Sequence, residues 1–420
     1  MHVRYIEIAG GKPLRGRITI QGSKNAVLPI LTSCLLGEGI CQIDNCPRIS
    51  DVTVTLRLLE AAGCKVIQEG RTVWIDTSDV CRSRIPSEEA SHIRSSVLFL
   101  GALIGRCRQA SLPMPGGCAI GIRPVDLHMK ALTALGVRFE GEDDLTADGN
   151  MLHGADIHFS YPSVGATENS ILAAVLAPGR TRITGAAREP EIMELCRFLR
   201  LRGADIRNDG QGTIVIDGVS SLKPAYYRMQ ADRIVTGTYL IAAAAAGGDV
   251  QIANFPTYGL ELPLQILKET GARIEQKEES CRLISSQSPK AIPYLETAPY
   301  PGFPTDLQSP MLALLAGAEG VSCVRETIFE NRFRVVSELR KMGADIEVQG
   351  DRVIIKGKEK LTGSQVDTPD LRGGAALVTA GLCASGLTRI GQIEYIERGY
   401  EDICRDLRML GGDLVVAEGQ

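Results

Sequence analysis

Leu339-Arg340-Lys341-Met342-Gly343-Ala344-Asp345-Ile346-Glu347-Val348 reads as the end of one element and the start of another. A leucine closes a helical pattern, a glycine stands four residues on where a left-handed helix cap belongs, and polar and apolar residues then alternate as in a strand. After a short turn, Asp351-Arg352-Val353-Ile354-Ile355-Lys356 supplies a second strand. The same Leu-x-x-x-Gly-x-x-apolar signature occurs at Leu59/Gly63/Val66, Leu132/Gly136/Phe139, Leu199/Gly203/Ile206, Leu267/Gly271/Ile274 and Leu407/Gly411/Leu414. With Gly343 included, the glycines are 73, 67, 68, 72 and 68 residues apart. Spacing this regular marks a repeated structural unit.

Upstream of each signature lies another helical stretch rich in alanine and leucine that stops at a glycine, followed by a strand; the stretches at 26–37, 234–248 and 375–386 are examples. The unit is therefore a βαβαββ-type element of about 70 residues, present six times, and the fold class is α/β. Three units per half give two similar domains, 24–232 and 1–23 plus 233–420. The opening strand, residues 3–8, has no helix before it and is placed to close the last unit from the other end of the chain. A cleft between two such domains is a natural place for a ligand.

At 420 residues, 44% hydrophobic and 23% charged, the chain has ordinary globular composition. Its net charge of -4 and the lack of any lysine or arginine run argue against nucleic acid as a partner. The longest apolar run, around 239–246, is about half of the roughly 20 residues that a bilayer crossing needs, so no membrane span is expected. Twelve cysteines are too few for a disulfide scaffold and form no CxxC pair, which argues against a metal site. The N-terminal residues alternate as in a strand rather than a signal peptide, and a cytoplasmic location is expected.

Cys34, Cys196, Cys383 and Cys404 fall in helical patterns and read as packing residues. Pro115-Gly116-Gly117-Cys118-Ala119-Ile120-Gly121-Ile122-Arg123-Pro124 does not. Three glycines between prolines describe a loop, and Arg123 stands five residues after the thiol, where a guanidinium favours the thiolate and can hold an anion. Gly22-Ser23-Lys24-Asn25 follows a strand and opens a helix, so Lys24 and the helix-start amides can attract an anion. Arg94 begins a further helix. In the second half, Phe303-Pro304-Thr305-Asp306 puts a carboxylate at a helix start, where the dipole keeps it ionised. Arg332, Arg372 and Arg398 lie at joints between elements, where an anion with several oxygens can collect them.

Taken together and in order, Gly22-Ser23-Lys24-Asn25, the 115–128 segment, Ser163-Val164-Gly165-Ala166-Thr167, Ala186-Ala187-Arg188-Glu189-Pro190-Glu191, Ala231-Asp232-Arg233, Phe303-Pro304-Thr305-Asp306, the 329–333 segment, Asp370-Leu371-Arg372 and Arg398-Gly399-Tyr400 closely resemble the UDP-N-acetylglucosamine enolpyruvyl transferases. The resemblance runs essentially end to end. It implies a two-domain inside-out α/β barrel built from the six repeats. It also implies transfer of the enolpyruvyl group of phosphoenolpyruvate to the 3-hydroxyl of UDP-N-acetylglucosamine, with release of phosphate, as the first committed step towards peptidoglycan. Small-molecule substrates and no metal or organic cofactor are implied.

Position by position, the resemblance makes Cys118 the proton donor to the methylene carbon and the site of a covalent phosphoenolpyruvate adduct. Asp306 would take or position the sugar hydroxyl proton. Lys24, Arg123 and Arg398 would bind phosphoenolpyruvate, with Arg332 and Arg372 adding charge. Asn25, Arg94, Pro124, Val125, Asp126, Leu127, Ser163, Val164, Gly165 and Ile328 would contact the nucleotide sugar. Where some members of the family carry a lysine two residues before Ser-Val-Gly, this chain has Tyr161-Pro162, and the phenol is the available hydrogen-bond donor.

Two other readings compete. The related transferases acting on shikimate 3-phosphate share the Gly-Ser-Lys start, but Asn25 after the lysine and the cysteine in the Pro-Gly-Gly-Cys loop speak against them. A non-catalytic nucleotide-sugar-binding paralogue has no need of Cys118, Asp306, Lys24 and Arg398 together. Fosfomycin is expected to alkylate Cys118. Intact-mass spectrometry with the nucleotide sugar present checks this, and an unmodified mass counts against a reactive thiol.

Overall fold

The computed structural model describes residues 3–80, 82–86, 90–91, 93–114, 120–121, 124–140, 144–286, 288–358 and 360–419; Cys118 and Arg123 lie outside them. Among the described residues the chain divides into two compact units. The first holds 22–114 and 124–230, the second 3–21, 120–121 and 231–419.

The first unit contains helices α1 (Lys24–Ser33), α2 (Ser50–Ala61), α3 (Leu98–Cys107), α4 (Asp126–Ala134), α5 (Val164–Ala174) and α6 (Pro190–Leu201). The second contains α7 (Arg233–Ala246), α8 (Glu261–Glu269), α9 (Gln308–Ala316), α10 (Val335–Lys341), α11 (Leu371–Cys383) and α12 (Ile403–Met409). Odd-numbered helices are buried almost all round: every residue of α7 and α9 is buried. Their sequences allow it, since alanine, leucine and small hydroxyl residues replace charge along most of their length. Even-numbered helices bury one face. In α6 the inner residues are Ile192, Leu195, Cys196, Phe198 and Leu199, at the spacing of one helical stripe, while Arg197 and Arg200 face outward. In the second unit α7, α9 and α11 pack against one another; in the first, α3 packs against both α1 and α5. Each leucine fully buried in these cores contributes about 2 kcal/mol.

The six signature glycines end the even-numbered helices by one mechanism. All have positive φ, from 82° at Gly411 to 104° at Gly63. The amide after each glycine donates to the carbonyl of the signature leucine: Cys64 to Leu59, Val137 to Leu132, Ala204 to Leu199, Ala272 to Leu267, Ala344 to Leu339 and Gly412 to Leu407, all at 2.9–3.2 Å. Each glycine amide donates to the carbonyl three residues before it, as Gly203 does to Arg200 at 2.9 Å. This pair of bonds is the Schellman cap. It accounts for the constant four-residue offset, because the leucine is the residue whose carbonyl the cap satisfies.

Among the described residues there are six sheets, five of four strands and one of three. The parallel pairings join the strands before and after a buried helix: Asp156–His158 with Arg180–Thr184 around α5, Tyr294–Glu296 with Val321–Arg325 around α9, and Gln365–Asp367 with Leu387–Gly391 around α11. Around α1 and α7 the partners are exchanged. Leu14–Thr19, before α1, pairs in parallel with Gly248–Ala253, after α7; Tyr226–Arg228, before α7, pairs with Ile40–Asp44, after α1. The crossings between the units near residues 21 and 230 follow from this exchange. The opening strand Val3–Ala9 lies antiparallel between Leu387–Gly391 and Asp413–Gly419.

Burial pushes the thiols of Cys196 and Cys281 up to about 11, and those of Cys64 and Cys404 up to about 12. They behave as small apolar core groups. Among the described residues no helix is long and apolar enough to cross a membrane.

Two glycines of the same cap separate its costs. A Cβ on Gly203 meets nothing within 4 Å, whereas one on Gly136 comes 2.3 Å from the Met151 carbonyl oxygen. Gly203→Ala is therefore expected to cost about 1 kcal/mol, from backbone strain alone, and Gly136→Ala distinctly more. Denaturant unfolding of the two variants checks the order.

Candidate functional site

In the first unit, Ser23 has extended backbone and its hydroxyl accepts from the Ala26 amide at 3.4 Å, so α1 opens on Lys24 and Asn25. Lys24 is buried, and its ammonium lies 2.8 Å from a carboxylate oxygen of Asp51 in the first turn of α2. Sequence reasoning missed Asp51; its one signal was an acid at the start of the next helix. Ser163 repeats the arrangement at α5, accepting from Ala166 at 3.4 Å ahead of Val164 and Gly165.

A second group of candidate residues meets between α4 and α5. Arg94 opens a 3-10 turn, and its Nη2 donates to the Pro124 carbonyl at 3.3 Å. Val125 is buried and immediately precedes Asp126 and Leu127, which open α4. One turn on, the buried His128 ring lies against the start of α5: a Cβ on Gly165 would come 3.1 Å from its Cε1. Asn169 holds that ring. Its Oδ1 accepts from the Gly101 amide at 2.7 Å, and its Nδ2 donates to the Val97 carbonyl at 2.9 Å and to His128 Nδ1 at 3.1 Å. The amide is thus oriented by backbone groups, and the His128 proton sits on Nε2. Arg94, Pro124, Val125, Asp126, Leu127, Ser163, Val164 and Gly165 are therefore neighbours, although 69 positions separate Arg94 from Ser163. Lys24 and Asn25 belong to the α1–α2 corner.

In the second unit, the sequence assigns Asp306 to a helix start, and it stands in the 3-10 turn Thr305–Leu307 that runs directly into α9 at Gln308. Two guanidinium groups, which the sequence did not pair with it, also meet the carboxylate. Arg332 Nη2 lies 2.7 Å from Oδ1 and Arg372 Nη2 lies 2.9 Å from Oδ2. The arginine side chains are 2% and 4% exposed and the carboxylate 25%. Contact at this range with two fixed cations outweighs the partial charges of a single helical turn.

Each arginine is itself held. Arg332 donates from Nε and Nη2 to the Thr305 carbonyl at 3.3 and 3.1 Å, and its guanidinium lies 5.8 Å from the centre of the Phe329 ring. Arg372 is the second residue of α11, whose N-cap Asp370 accepts from the Arg372 and Gly373 amides. Burial works against its charge, but Asp306, Tyr400 and Asp232 more than reverse this and raise its proton affinity above the ordinary arginine value. Tyr400 is buried beside it, its hydroxyl 2.8 Å from Thr238 Oγ1.

Arg398 ends the 3-10 segment Ile393–Arg398, and the turn that follows is fastened by Gln21. The Gln21 Nε2 donates to the Gly399 carbonyl at 3.0 Å, and its Oε1 accepts from the Glu401 amide at 2.9 Å. Nothing in the sequence pointed to Gln21. The Ile328 amide donates to Glu326 Oε1 at 2.8 Å, and the Asn331 amide to the Ile120 carbonyl at 3.0 Å. Arg332, Arg372 and Asp306 together carry one net positive charge at the surface of a core, which suits an anionic ligand with several oxygens.

The Lys24–Asp51 pair is almost fully buried, with side chains 10% and 6% exposed. Asp51→Asn removes the near carboxylate from a buried ammonium and is expected to destabilise the unit by on the order of 3 kcal/mol. Lys24→Met combined with Asp51→Leu is expected to recover most of that loss, as read by denaturant unfolding.

A family profile described as EPSP synthase (3-phosphoshikimate 1-carboxyvinyltransferase) matches residues 8–407. The UDP-N-acetylglucosamine 1-carboxyvinyltransferase 2 of Caldanaerobacter subterraneus subsp. tengcongensis is 46% identical over 410 residues, covering 97% of this chain and 98% of its own. The UDP-N-acetylglucosamine 1-carboxyvinyltransferase of Corynebacterium efficiens is 42% identical over 408 residues, covering 97% of each. Among solved structures, the enolpyruvyl transferase NikO from Streptomyces tendae matches with a TM-score of 0.89 at 24% identity over 100% of both chains, a likeness of fold. With the profile spanning all but the ends, and relatives 42–46% identical along nearly their whole length, the chain belongs to the enolpyruvyl transferase family, in the group of UDP-N-acetylglucosamine 1-carboxyvinyltransferases.

Proposed function

We propose that this protein transfers the enolpyruvyl group of phosphoenolpyruvate to the 3-hydroxyl of UDP-N-acetylglucosamine, releasing phosphate, as the first committed step towards peptidoglycan. The observation that carries the reading is the Asp306 carboxylate, one-quarter exposed, with each oxygen on a different buried guanidinium. A proton acceptor and two cations sit within one contact of each other. The reaction needs that combination, because a hydroxyl must lose a proton beside a substrate carrying a phosphate and a carboxylate.

The chemistry runs as an addition followed by an elimination. The Cys118 thiol delivers a proton to the methylene carbon, leaving C2 with oxocarbenium character, and the sugar 3-oxygen attacks C2 while its proton passes to Asp306. Arg332 and Arg372 pair with the Asp306 carboxylate. As the arginines engage the anionic groups of phosphoenolpyruvate they share their charge with the substrate, which leaves the carboxylate to take the hydroxyl proton. Lys24, Arg123 and Arg398 bind the phosphate and carboxylate and stabilise the charge of the tetrahedral intermediate. In the elimination the C2–O bond to phosphate breaks with its electron pair, and a methyl proton returns to the thiolate, restoring the double bond. Attack of the thiolate left by the first proton transfer on the oxocarbenium-like C2, in place of the sugar oxygen, gives the covalent adduct. Asn25, Arg94, Pro124, Val125, Asp126, Leu127, Ser163, Val164, Gly165 and Ile328 hold the nucleotide sugar.

We read the architecture as an inside-out α/β barrel in each of two three-unit domains, supported by the six identical caps and the alternation of buried and one-faced helices. The substrates are small molecules, the site of action is the cytoplasm, and no nucleic acid or membrane takes part. A transferase acting on shikimate 3-phosphate is disfavoured by Asn25 and by the cysteine in the 115–124 loop.

Phosphate release from phosphoenolpyruvate is expected to require UDP-N-acetylglucosamine and to fall by roughly 100- to 10,000-fold in Asp306→Asn. Turnover with shikimate 3-phosphate alone, or full activity in Asp306→Asn, would overturn the reading.

A further inference from the structure

Glu326 is a buried carboxylate, 5% exposed, that the reaction above does not use. It follows the strand Val321–Arg325 and is fixed there by its own amide, which donates to the Asp351 carbonyl at 2.8 Å. Its two oxygens point at two different segments. Oε2 accepts from the Thr305 hydroxyl at 3.0 Å; Oε1 accepts from the amides of Ile328 and Phe329 at 2.8 and 3.2 Å. Thr305 is the residue immediately before Asp306, and its carbonyl takes two hydrogen bonds from Arg332. One side chain thus ties the turn that aims Asp306 to the loop that carries Ile328 and Phe329, the aromatic ring beside Arg332.

We propose that Glu326 is a positioning residue for the reaction: it sets the direction of the Asp306 carboxylate and of the Ile328 backbone together, so that the base and the nucleotide-sugar contact are presented at a fixed separation. This rests on the functional reading given for Asp306 and Ile328. The chemistry of the donor set explains the choice of residue. The two backbone amides can only donate, so Oε1 has to be an acceptor, while the Thr305 hydroxyl bonds whichever polar group stands opposite it. An apolar side chain of similar size offers neither contact, and both segments are released.

The test compares Glu326→Leu, Glu326→Gln, Thr305→Val and Thr305→Ser in the full chain, by steady-state kinetics and by calorimetric titration of UDP-N-acetylglucosamine. Glu326→Leu is expected to lower kcat/KM for the nucleotide sugar roughly 10- to 100-fold and to weaken its binding, with a smaller change in KM for phosphoenolpyruvate. Glu326→Gln, whose oxygen can take the paired amides while its NH2 bonds the hydroxyl, is expected to recover most of that loss. Thr305→Val is expected to lower kcat, and Thr305→Ser, which keeps the hydroxyl, to restore it; this pair decides the matter if Glu326→Leu does not fold. Wild-type kinetics and binding in Glu326→Leu, or no advantage of Thr305→Ser over Thr305→Val, would overturn the proposal while leaving the reaction intact. An unsubstituted enzyme that binds the nucleotide sugar yet releases no phosphate, with binding weakened in Glu326→Leu, would overturn the reaction and uphold the positioning role.

Discussion

Arg332 and Arg372 are removed from water almost completely, and a guanidinium so placed stays in a folded core only if something nearby answers its charge. Asp306 answers both, with one oxygen for each. The arrangement dictates much of what surrounds it. Thr305 must turn its carbonyl towards Arg332, α11 must begin at Asp370 so that Arg372 projects from its first turn, and the 328–332 loop must bring Phe329 beside the guanidinium. Among these three groups one positive charge is left over, and under the proposed function the same charge balance that keeps the arginines in the core serves the anionic substrate.

A second constraint is the cap that ends every even-numbered helix. A helix whose last carbonyls are unsatisfied frays, and the Schellman geometry satisfies two of them at the cost of one residue with positive φ. Because the cap fixes the exit direction of the chain, the same offset from leucine to glycine sends each chain segment back along the sheet that its helix covers. The exchange of parallel partners around α1 and α7 then divides the chain between the units: Leu14–Thr19 is claimed by Gly248–Ala253, and Ile40–Asp44 by Tyr226–Arg228. Lys24 and Arg233 stand just beyond those two crossings, each on the first residue of a buried helix.

The helix ends were legible because everything that makes a Schellman cap lies within six consecutive residues: donor, acceptor and the glycine that tolerates the backbone angle. Lys24 and Ser163 were legible for a similar reason, since an N-cap and the residues after it are neighbours in sequence. Asp306 was legible as an acid near a helix start, but the two guanidinium groups that pair with it were not. Its partners lie 26 and 66 positions away, and a surface arginine and a buried one look the same in a string of letters. Gln21 and Glu326 carried no signal of any kind, because what distinguishes them is the convergence of backbone amides and carbonyls from segments that only folding brings together.

By itself, then, the amino-acid order of this protein determined what depends on short-range chemistry: the period and ends of its helices, the alternation of its strands, and the family motifs that name its chemistry. The tertiary structure alone decided which charges meet. Arg332 and Arg372 divide a single carboxylate, Lys24 takes Asp51, His128 is turned by Asn169, and Glu326 fastens two loops at once. The physical reason is that electrostatic and hydrogen-bond partners are selected by distance in a water-poor interior, where an unmatched charge is costly, and separation along the chain says little about that distance.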